Sequence, residues 1–224
     1  MAVRDETEGS DGLMSNLVRK AILLSWFTIG YNFLEGFVSI GFGVSDESVA
    51  LAGFGVDSLI EVISALFILW RFRGEVGAGS EISIARERKA TFGIGVLFLL
   101  LALTTVGASI FQIKSGSHPK TTIPGLLISI FSISFMFWLW LAKRRIAVLL
   151  DSASMKMDAQ CSWACIKLSI VLFVGSIVFI TSPALWWTDS LAAIIIALLI
   201  GREGWETVKS VRHPGFSGGC GCKQ

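Results

Sequence analysis

Six apolar stretches, each near the length that crosses a bilayer, constrain this chain more than any other feature of its sequence. A spanning helix needs about 20 mostly apolar residues. The chain is 53% hydrophobic and 16% charged, with a mean hydropathy of +0.70. We therefore predict an all-α integral membrane protein with six transmembrane helices. The stretches are Ala21–Val44, Val49–Trp70, Ala90–Ile113, Thr122–Ala142, Asp158–Ser182 and Leu185–Gly201.

Basic residues in the breaks between these stretches predict the orientation of the chain. They precede the first stretch, fill the second and fourth breaks and follow the sixth stretch, whereas the other breaks hold only Lys114 and Lys120. Because cytoplasmic loops carry the excess of Lys and Arg, both termini are expected in the cytoplasm. The run Lys143, Arg144 and Arg145 is expected to anchor to lipid headgroups.

The expected organisation has three parts. Residues 1–20 form a cytoplasmic segment, residues 21–201 form the transmembrane domain, and residues 202–224 form a cytoplasmic tail without a folded domain. The first residues lack the apolar core of a signal peptide. We expect a multi-pass membrane protein, located in a bacterial or archaeal plasma membrane.

Two acids interrupt the second stretch. Asp57 and Glu61 are four residues apart, so they share one helix face, which Ser64 continues. Two like charges this close in an apolar medium persist only with a proton, a cation or a buried base between them. Alternatively, the pair faces a water-filled vestibule without a ligand, or one acid bonds to a neighbouring helix.

The fifth stretch carries a complementary set. Asp158, Cys161 and Cys165 fall within one narrow helical stripe. Two sulfurs and two oxygens suit tetrahedral Zn²⁺, and also Cd²⁺, whereas Mg²⁺ and Ca²⁺ require more oxygens. A disulfide between the cysteines is not expected, because their Cβ vectors run nearly parallel. Alternatively, both cysteines are small buried apolar residues.

At these segments the sequence resembles the transmembrane domain of the cation diffusion facilitator family of zinc transporters. The resemblance covers most of residues 18–208. It is carried by "SVALAGFGVDSLIE" in the second stretch and "DSASMKMDAQCSWAC" leading into the fifth. Weaker matches are "YNFLEG" in the first stretch and "WWTDSLAAIIIALLI" in the sixth.

This resemblance implies a mid-membrane tetrahedral metal site, exchange of outgoing metal for incoming protons, and a homodimer. The implied ligands are Asp57, Glu61, Cys161 and Cys165. The sequence departs from the family pattern in three ways. Glu61 stands for an Asp, the two cysteines stand for a His and an Asp, and the family's cytosolic C-terminal domain is not found. The first two departures favour softer metals, and the third makes the chain most similar to the smaller relatives that lack that domain.

Exchange also follows from the residues themselves, because carboxylates and thiols hold either a proton or a metal. Asp158 is expected to attract the cation at the entrance, or alternatively to be a solvated helix N-cap. Glu35, near Asn32 in the first stretch, is expected to pair with Lys167, or alternatively to face the aqueous cavity as a second proton site. Glu35 and Asn32 are thus candidate accessory residues.

Cys220 and Cys222 form a C-x-C in the tail and are expected to capture a soft metal, unless the tail is inert. The predicted function is export of a divalent transition metal against protons, and the alternative is a non-transporting metal sensor or carrier that uses these cysteines. No hydrolase motif is present, so we do not expect an enzyme. The expected partners are metal ion, protons, lipid and a second copy of the chain, without nucleic acid or a permanent cofactor.

Overall fold

The computed structural model describes residues 2–45, 49–73, 83–116, 123–185 and 187–219. These residues form six α-helices and one short 3₁₀ turn, and no strand occurs among them. The all-α prediction is therefore confirmed. The helices are α1 (Ala2–Ser45), α2 (Val49–Arg73), α3 (Ile84–Ser115), α4 (Ile123–Leu149), α5 (Ala153–Thr181) and α6 (Thr188–Arg212).

Five of these helices are long and apolar enough to cross a membrane. The sixth, α6, does not meet the same standard over its described residues, because its apolar part ends at Gly201 and charged residues follow. It nevertheless packs along α3. Helix α1 begins at Ala2 and α6 ends at Arg212, so helices extend into both the expected N-terminal segment and the expected tail.

Helix α5 begins five residues before the predicted span. Its N-cap is Ser152, whose hydroxyl accepts a hydrogen bond from the Met155 backbone N–H. A serine at this position satisfies one of the free N–H groups of the first turn. Asp158 consequently lies in the second turn of α5 and is not its cap.

Four helices surround the centre of the bundle. Helix α1 packs against α2 and α4, and α5 packs against α2 and α4. The α3–α6 pair lies to one side, where α3 contacts α2 and α5 and α6 contacts α5. The inner helices are therefore α2 and α5, which carry the predicted metal ligands.

The interior of the bundle combines an apolar core with buried polar stripes, and its outer surface is apolar. Large apolar side chains such as Leu34, Phe131 and Leu198 are exposed, as lipid-facing residues are. The buried polar residues recur every three or four positions on α1, α2 and α5, and on α4 Lys143 follows Ser132 after three helical turns, so each central helix turns one polar stripe inward. The stripes are Ser25, Thr28, Asn32, Glu35 and Ser39 of α1, Asp57, Glu61 and Ser64 of α2, Ser129, Ser132 and Lys143 of α4, and Asp158, Cys161, Cys165 and Ser169 of α5.

Helix α2 approaches α1 closely at Gly55. A Cβ added there would lie 2.8 Å from the Gly36 carbonyl oxygen and 2.9 Å from the Ile40 backbone nitrogen. Both atoms belong to the α1 backbone, which cannot rotate away as a side chain can. Small residues at such crossings let helices in a membrane pack closely. Gly55 therefore sets the position of α2 two residues before Asp57.

We predict that Gly55→Ala lowers the thermal unfolding midpoint of the protein in detergent, because the added methyl group separates α1 from α2. Gly30→Ala is the matched control, since a Cβ at Gly30 meets no atom within 4 Å. The control should keep or raise the midpoint, because alanine favours a helix over glycine by about 1 kcal/mol. Equal midpoints for the two variants would show that the close approach does not limit packing.

A buried ion pair joins three helices at the end of the bundle that carries most of the basic residues, here called the basic end. Arg71 of α2 donates through Nε to Glu87 of α3, and both side chains are almost fully buried. The Glu87 carboxylate also accepts from the Ser152 hydroxyl at 2.8 Å and from the Ser154 backbone N–H at 2.6 Å. This pair therefore ties α2, α3 and the start of α5 together.

The segment after α6 covers the same region. The Gly218 carbonyl oxygen accepts a hydrogen bond from the Ala153 backbone N–H at 3.0 Å, and a Cβ at Gly218 would contact the Glu87 side chain. Gly218 has a φ of 81°, which glycine adopts without strain. The first part of the expected tail is thus packed against the basic end of the bundle.

We predict that Glu87→Gln destabilises the protein by about 3–5 kcal/mol, the usual cost of leaving one buried charge without its partner. Glu206→Gln is the control, because its pair with Arg202 is exposed and such pairs contribute about 0–1 kcal/mol. Unfolding in detergent monitored by circular dichroism measures both. A similar, small loss for the two variants would contradict the role of Glu87.

Candidate metal site

The four predicted ligands meet where α2 and α5 pack together. Asp57 and Glu61 on α2 face Cys161 and Cys165 on α5, and all four are at most 1% exposed. Both cysteines are free thiols, as expected. Each thiol lies close enough to Asp57 and Glu61 to interact with both electrostatically. We call these four residues the inner site.

Asp57 is the acid of the inner site in which both carboxylate oxygens are unsatisfied. Neither of its carboxylate oxygens accepts a hydrogen bond of normal geometry from the described residues, although the Cys165 thiol lies beside it. A buried carboxylate without donors is costly and rare in proteins. Asp57 therefore requires a proton or a cation to remain in the apolar interior.

Glu61 is satisfied on one side only. Its Oε1 accepts a hydrogen bond from the Ser162 hydroxyl and lies 3.3 Å from the Lys143 Nζ, whereas its Oε2 has no hydrogen-bond partner among the described residues. Lys143 comes from α4, and its side chain is fully buried. A lysine ammonium therefore reaches the inner site from a third helix.

Asp158 lies one turn closer to the basic end and shares the same lysine. Its Oδ1 accepts from the Ser64 hydroxyl at 2.7 Å, and its Oδ2 lies 2.9 Å from the Lys143 Nζ. Its side chain is fully buried. The alternative that Asp158 is a solvated N-cap is therefore wrong, since Ser152 caps α5 and Asp158 is paired inside the bundle.

The side chains of the inner site face one another without closing around one point. Over the ranges given for the structure, no three His, Cys, Asp or Glu side chains are arranged so that they could hold one metal ion. The Lys143 ammonium lies between Glu61 and Asp158, where it supplies positive charge to two carboxylates at once. The arrangement thus brings the predicted ligands together with an internal cation at one edge.

Glu35 and Asn32 lie on the polar stripe of α1. The Glu35 carboxylate accepts from the Tyr31 hydroxyl at 2.8 Å and from the Ser58 hydroxyl at 2.9 Å. The Asn32 amide donates to the Thr28 carbonyl oxygen, and its own Oδ1 is buried without a hydrogen-bond partner in the described chain. Glu35 therefore links α1 to α2, and Asn32 keeps one free acceptor.

The expected ion pair between Glu35 and Lys167 is wrong. Glu35 is bonded within α1 and to α2, whereas the Lys167 Nζ lies 5.9 Å from the centre of the Trp163 ring. No ion pair between the two is found in the part of the chain that the structure describes. The hydroxyls of Tyr31 and Ser58 satisfy the carboxylate instead.

A cavity of about 200 Å³ lies beyond Asp57, toward the end of the bundle opposite the basic end. It is lined by residues of α2, α3, α5 and α6, and its lining residues on α2 are Gly53, Phe54 and Val56, which directly precede Asp57. Space of this size holds several water molecules where polar groups are present. The polar lining residues are Thr104, Thr105, Ser109, Gln112 and Ser190.

Lys143 is the residue of this region that sequence reasoning missed. Arg144 and Arg145 are exposed, but Lys143 is fully buried, so headgroup anchoring is the wrong interpretation for Lys143. A usable signal exists in the sequence, because Ser129, Ser132 and Lys143 recur at helical spacing on one face of α4. Cys220 and Cys222 lie outside the described residues.

Comparison with known proteins finds a matching family model and relatives from a frog and a bacterium. The model of the family described as "Cation efflux transmembrane domain" matches residues 85–213, more than half of the chain. Transmembrane protein 163 of Xenopus laevis is 25% identical over 191 residues, which cover 84% of this chain and 66% of that protein. The uncharacterized transporter YdbO of Bacillus subtilis is 23% identical over 180 residues, which cover 79% of this chain and 61% of that protein.

The chain thus spans less than two thirds of the length of either relative. One relative comes from a frog and the other from a bacterium, so the expectation of a bacterial or archaeal membrane is not supported, whereas a multi-pass membrane protein is. The family match includes α5 with both cysteines and the lysine of α4. The chain therefore belongs to the cation efflux family, and its residues 85–213 match that family's transmembrane domain.

Proposed function

We propose that this protein is a secondary transporter that exports a divalent transition metal from the cytoplasm in exchange for protons. Zn²⁺ is the proposed substrate, with Cd²⁺ as a close second. The observation that carries the proposal is Asp57, whose two buried oxygens lack donors opposite the thiols of Cys161 and Cys165. The word "transporter" in the name of the Bacillus subtilis relative supports the same class of activity.

The choice of metal rests on the donor atoms. Two thiols and two carboxylates form the tetrahedral, mixed sulfur and oxygen set that Zn²⁺ accepts. Thiolates bind soft and borderline metals better than hard ones, so Mn²⁺ and Mg²⁺ are disfavoured. Asp57 and Glu61 thus provide the charge of the site, and Cys161 and Cys165 provide its selectivity.

Coupling to protons rests on the same groups. A carboxylic acid or thiol must lose its proton before it binds metal, so protons and metal compete for the inner site. Because buried charges cannot stay uncompensated, the site holds metal or protons but is not left empty and ionised. A proton gradient can therefore drive metal the other way when access alternates between the two sides.

The cavity suggests which side is accessible in this conformation. It is lined by Gly53 and Phe54, one helical turn before Asp57, and extends toward the far end, while the Arg71–Glu87 pair and Lys143 occupy the basic end. Under the orientation that the basic residues predict, the cavity is the route by which metal leaves. The homodimer implied by the family resemblance remains part of the proposal.

We predict that Asp57→Asn abolishes metal flux in sealed proteoliposomes with an imposed proton gradient. The substitution keeps the shape of the side chain but removes the charge that a metal requires. Glu206→Gln is the control, because it removes an exposed acid on α6 far from Asp57 along the bundle. Zn²⁺, Cd²⁺ and Mn²⁺ are offered in turn, and the pH inside the vesicles is recorded with the metal.

Proton-coupled Zn²⁺ or Cd²⁺ flux that is lost in Asp57→Asn and kept in Glu206→Gln supports the proposal. Absence of flux for every ion in folded, inserted wild-type protein would overturn it. In that case binding of Zn²⁺ to Cys220→Ser/Cys222→Ser tests the sensor alternative, which requires the tail cysteines.

A second prediction concerns selectivity. Replacing Cys161 and Cys165 by serine substitutes hard oxygens for soft sulfurs, so Cd²⁺ flux should fall by at least about tenfold relative to Mn²⁺ flux. Cys220→Ser/Cys222→Ser controls for the loss of two thiols elsewhere in the chain. An unchanged ratio of Cd²⁺ to Mn²⁺ flux would show that the α5 cysteines are buried apolar side chains and not metal ligands.

A further inference from the structure

We propose that Lys143 is a tethered cation that competes with the transported metal for Glu61, and that Asp158 holds the ammonium when metal is bound. The inference rests on the proposed function, because it assigns a regulating group to the same site. It gives Asp158 a role different from attracting the cation at the entrance.

Lys143 makes two hydrogen bonds, to Glu61 and Ser162, and an ion pair with Asp158. Its Nζ lies 3.3 Å from Glu61 Oε1, 3.0 Å from the Ser162 hydroxyl and 2.9 Å from Asp158 Oδ2. An ammonium has three donors and no acceptor. The lysine is therefore placed as a cation between two carboxylates, with a serine hydroxyl bridging it to Glu61.

Headgroup binding does not explain this placement. The neighbouring Arg144 and Arg145 are exposed on the outer side of α4, whereas Lys143 is fully buried. A long basic side chain near a helix end normally extends to the interface, where its charge stays solvated. Lys143 instead points into the bundle, so its charge must be compensated by the carboxylates there.

The two carboxylates have similar partners but different places in the bundle. Each accepts a hydrogen bond from one serine hydroxyl, Ser64 for Asp158 and Ser162 for Glu61, and each keeps one oxygen without a hydrogen-bond partner among the described residues. Asp158 lies toward the basic end and closer to the Lys143 Nζ, at 2.9 Å against 3.3 Å for Glu61, which belongs to the inner site. Moving the ammonium fully to Asp158 therefore frees Glu61 for metal without leaving the lysine unpaired.

Metal and ammonium cannot both hold Glu61 at full strength, since two cations close to one carboxylate repel each other. When Lys143 is paired with Glu61, it lowers the affinity of the inner site for metal. When the metal leaves, the ammonium neutralises part of the negative charge of the site. The lysine thereby favours release over retention, which a transporter needs and a storage site does not.

The test measures Zn²⁺ affinity of the purified full chain in detergent by competition with a chromophoric chelator. Cys220 and Cys222 are changed to serine in every sample, so that the tail thiols do not contribute. Lys143→Met should bind Zn²⁺ at least about tenfold more tightly than the reference. In proteoliposomes the same variant should lower both the half-saturating Zn²⁺ concentration and the maximal flux.

Lys167→Met is the matched control, because it removes an α5 lysine that contacts Trp163 and not Glu61. It should leave Zn²⁺ affinity unchanged. Lys143→Arg keeps the positive charge and should keep weak binding. Lys143→Met with affinity equal to or weaker than the reference would overturn the proposal, since loss of a purely structural lysine cannot tighten binding.

The role of Asp158 is tested by a double-mutant cycle. In Asp158→Asn the ammonium has Glu61 as its charged partner in this cluster, so Lys143→Met should tighten binding more in that background than in the reference. Additive effects would overturn the assignment of Asp158. The double variant also removes one charge of each sign, so it should fold even when Lys143→Met alone does not.

This result is distinguishable from failure of the proposed function. Wild-type protein that neither binds nor moves metal contradicts the transporter proposal itself. Wild-type protein that transports metal, together with unchanged affinity in Lys143→Met, contradicts the role of Lys143 alone.

Discussion

The carboxylates of Asp57, Glu61 and Asp158 lie inside a bundle whose outer surface is apolar. An uncompensated charge in such a place costs several kcal/mol even after local relaxation. Each carboxylate therefore requires a neighbouring proton, cation or hydrogen-bond donor that compensates its charge. Asp158 and Glu61 share the ammonium of Lys143, and Asp57 faces two thiols without a donor of its own.

The same constraint orders the molecule along its length. At the basic end the Arg71–Glu87 pair is buried among α2, α3 and the start of α5. Next come Asp158 and Lys143, then the inner site, and beyond Asp57 the cavity near Gln112 and Ser190. Charged groups are thus paired at the basic end, and a cavity lined by both apolar and polar residues lies at the far end.

Much of this could be predicted from the sequence, because apolar length and the spacing of acids are local properties. The helices, the shared face of Asp57 and Glu61 and the stripe of Cys161 and Cys165 depend on periodicity alone. Contacts between helices are not local. Lys143 looks like one of three headgroup-binding basic residues until α4 is packed against α5, which turns it toward Glu61 and Asp158.

Two other differences between the sequence-based expectations and the structure also arise from features that helical periodicity does not specify. The start of α5 depends on Ser152 as a cap, which places Asp158 inside the helix and not at its end. The opposite charges of Glu35 and Lys167 predict an ion pair, but Glu35 instead accepts hydrogen bonds from the hydroxyls of Tyr31 and Ser58. Charge complementarity in a sequence does not specify which helix faces are adjacent.

The central claim is that the transported metal binds Asp57, Glu61, Cys161 and Cys165. X-ray absorption at the zinc edge tests it most directly, using zinc-loaded protein in which Cys220 and Cys222 are serine, so that two of the four cysteines remain. The account predicts two sulfur neighbours at about 2.3 Å and two oxygen neighbours at about 2.0–2.2 Å. A shell made of nitrogen and oxygen alone would contradict it.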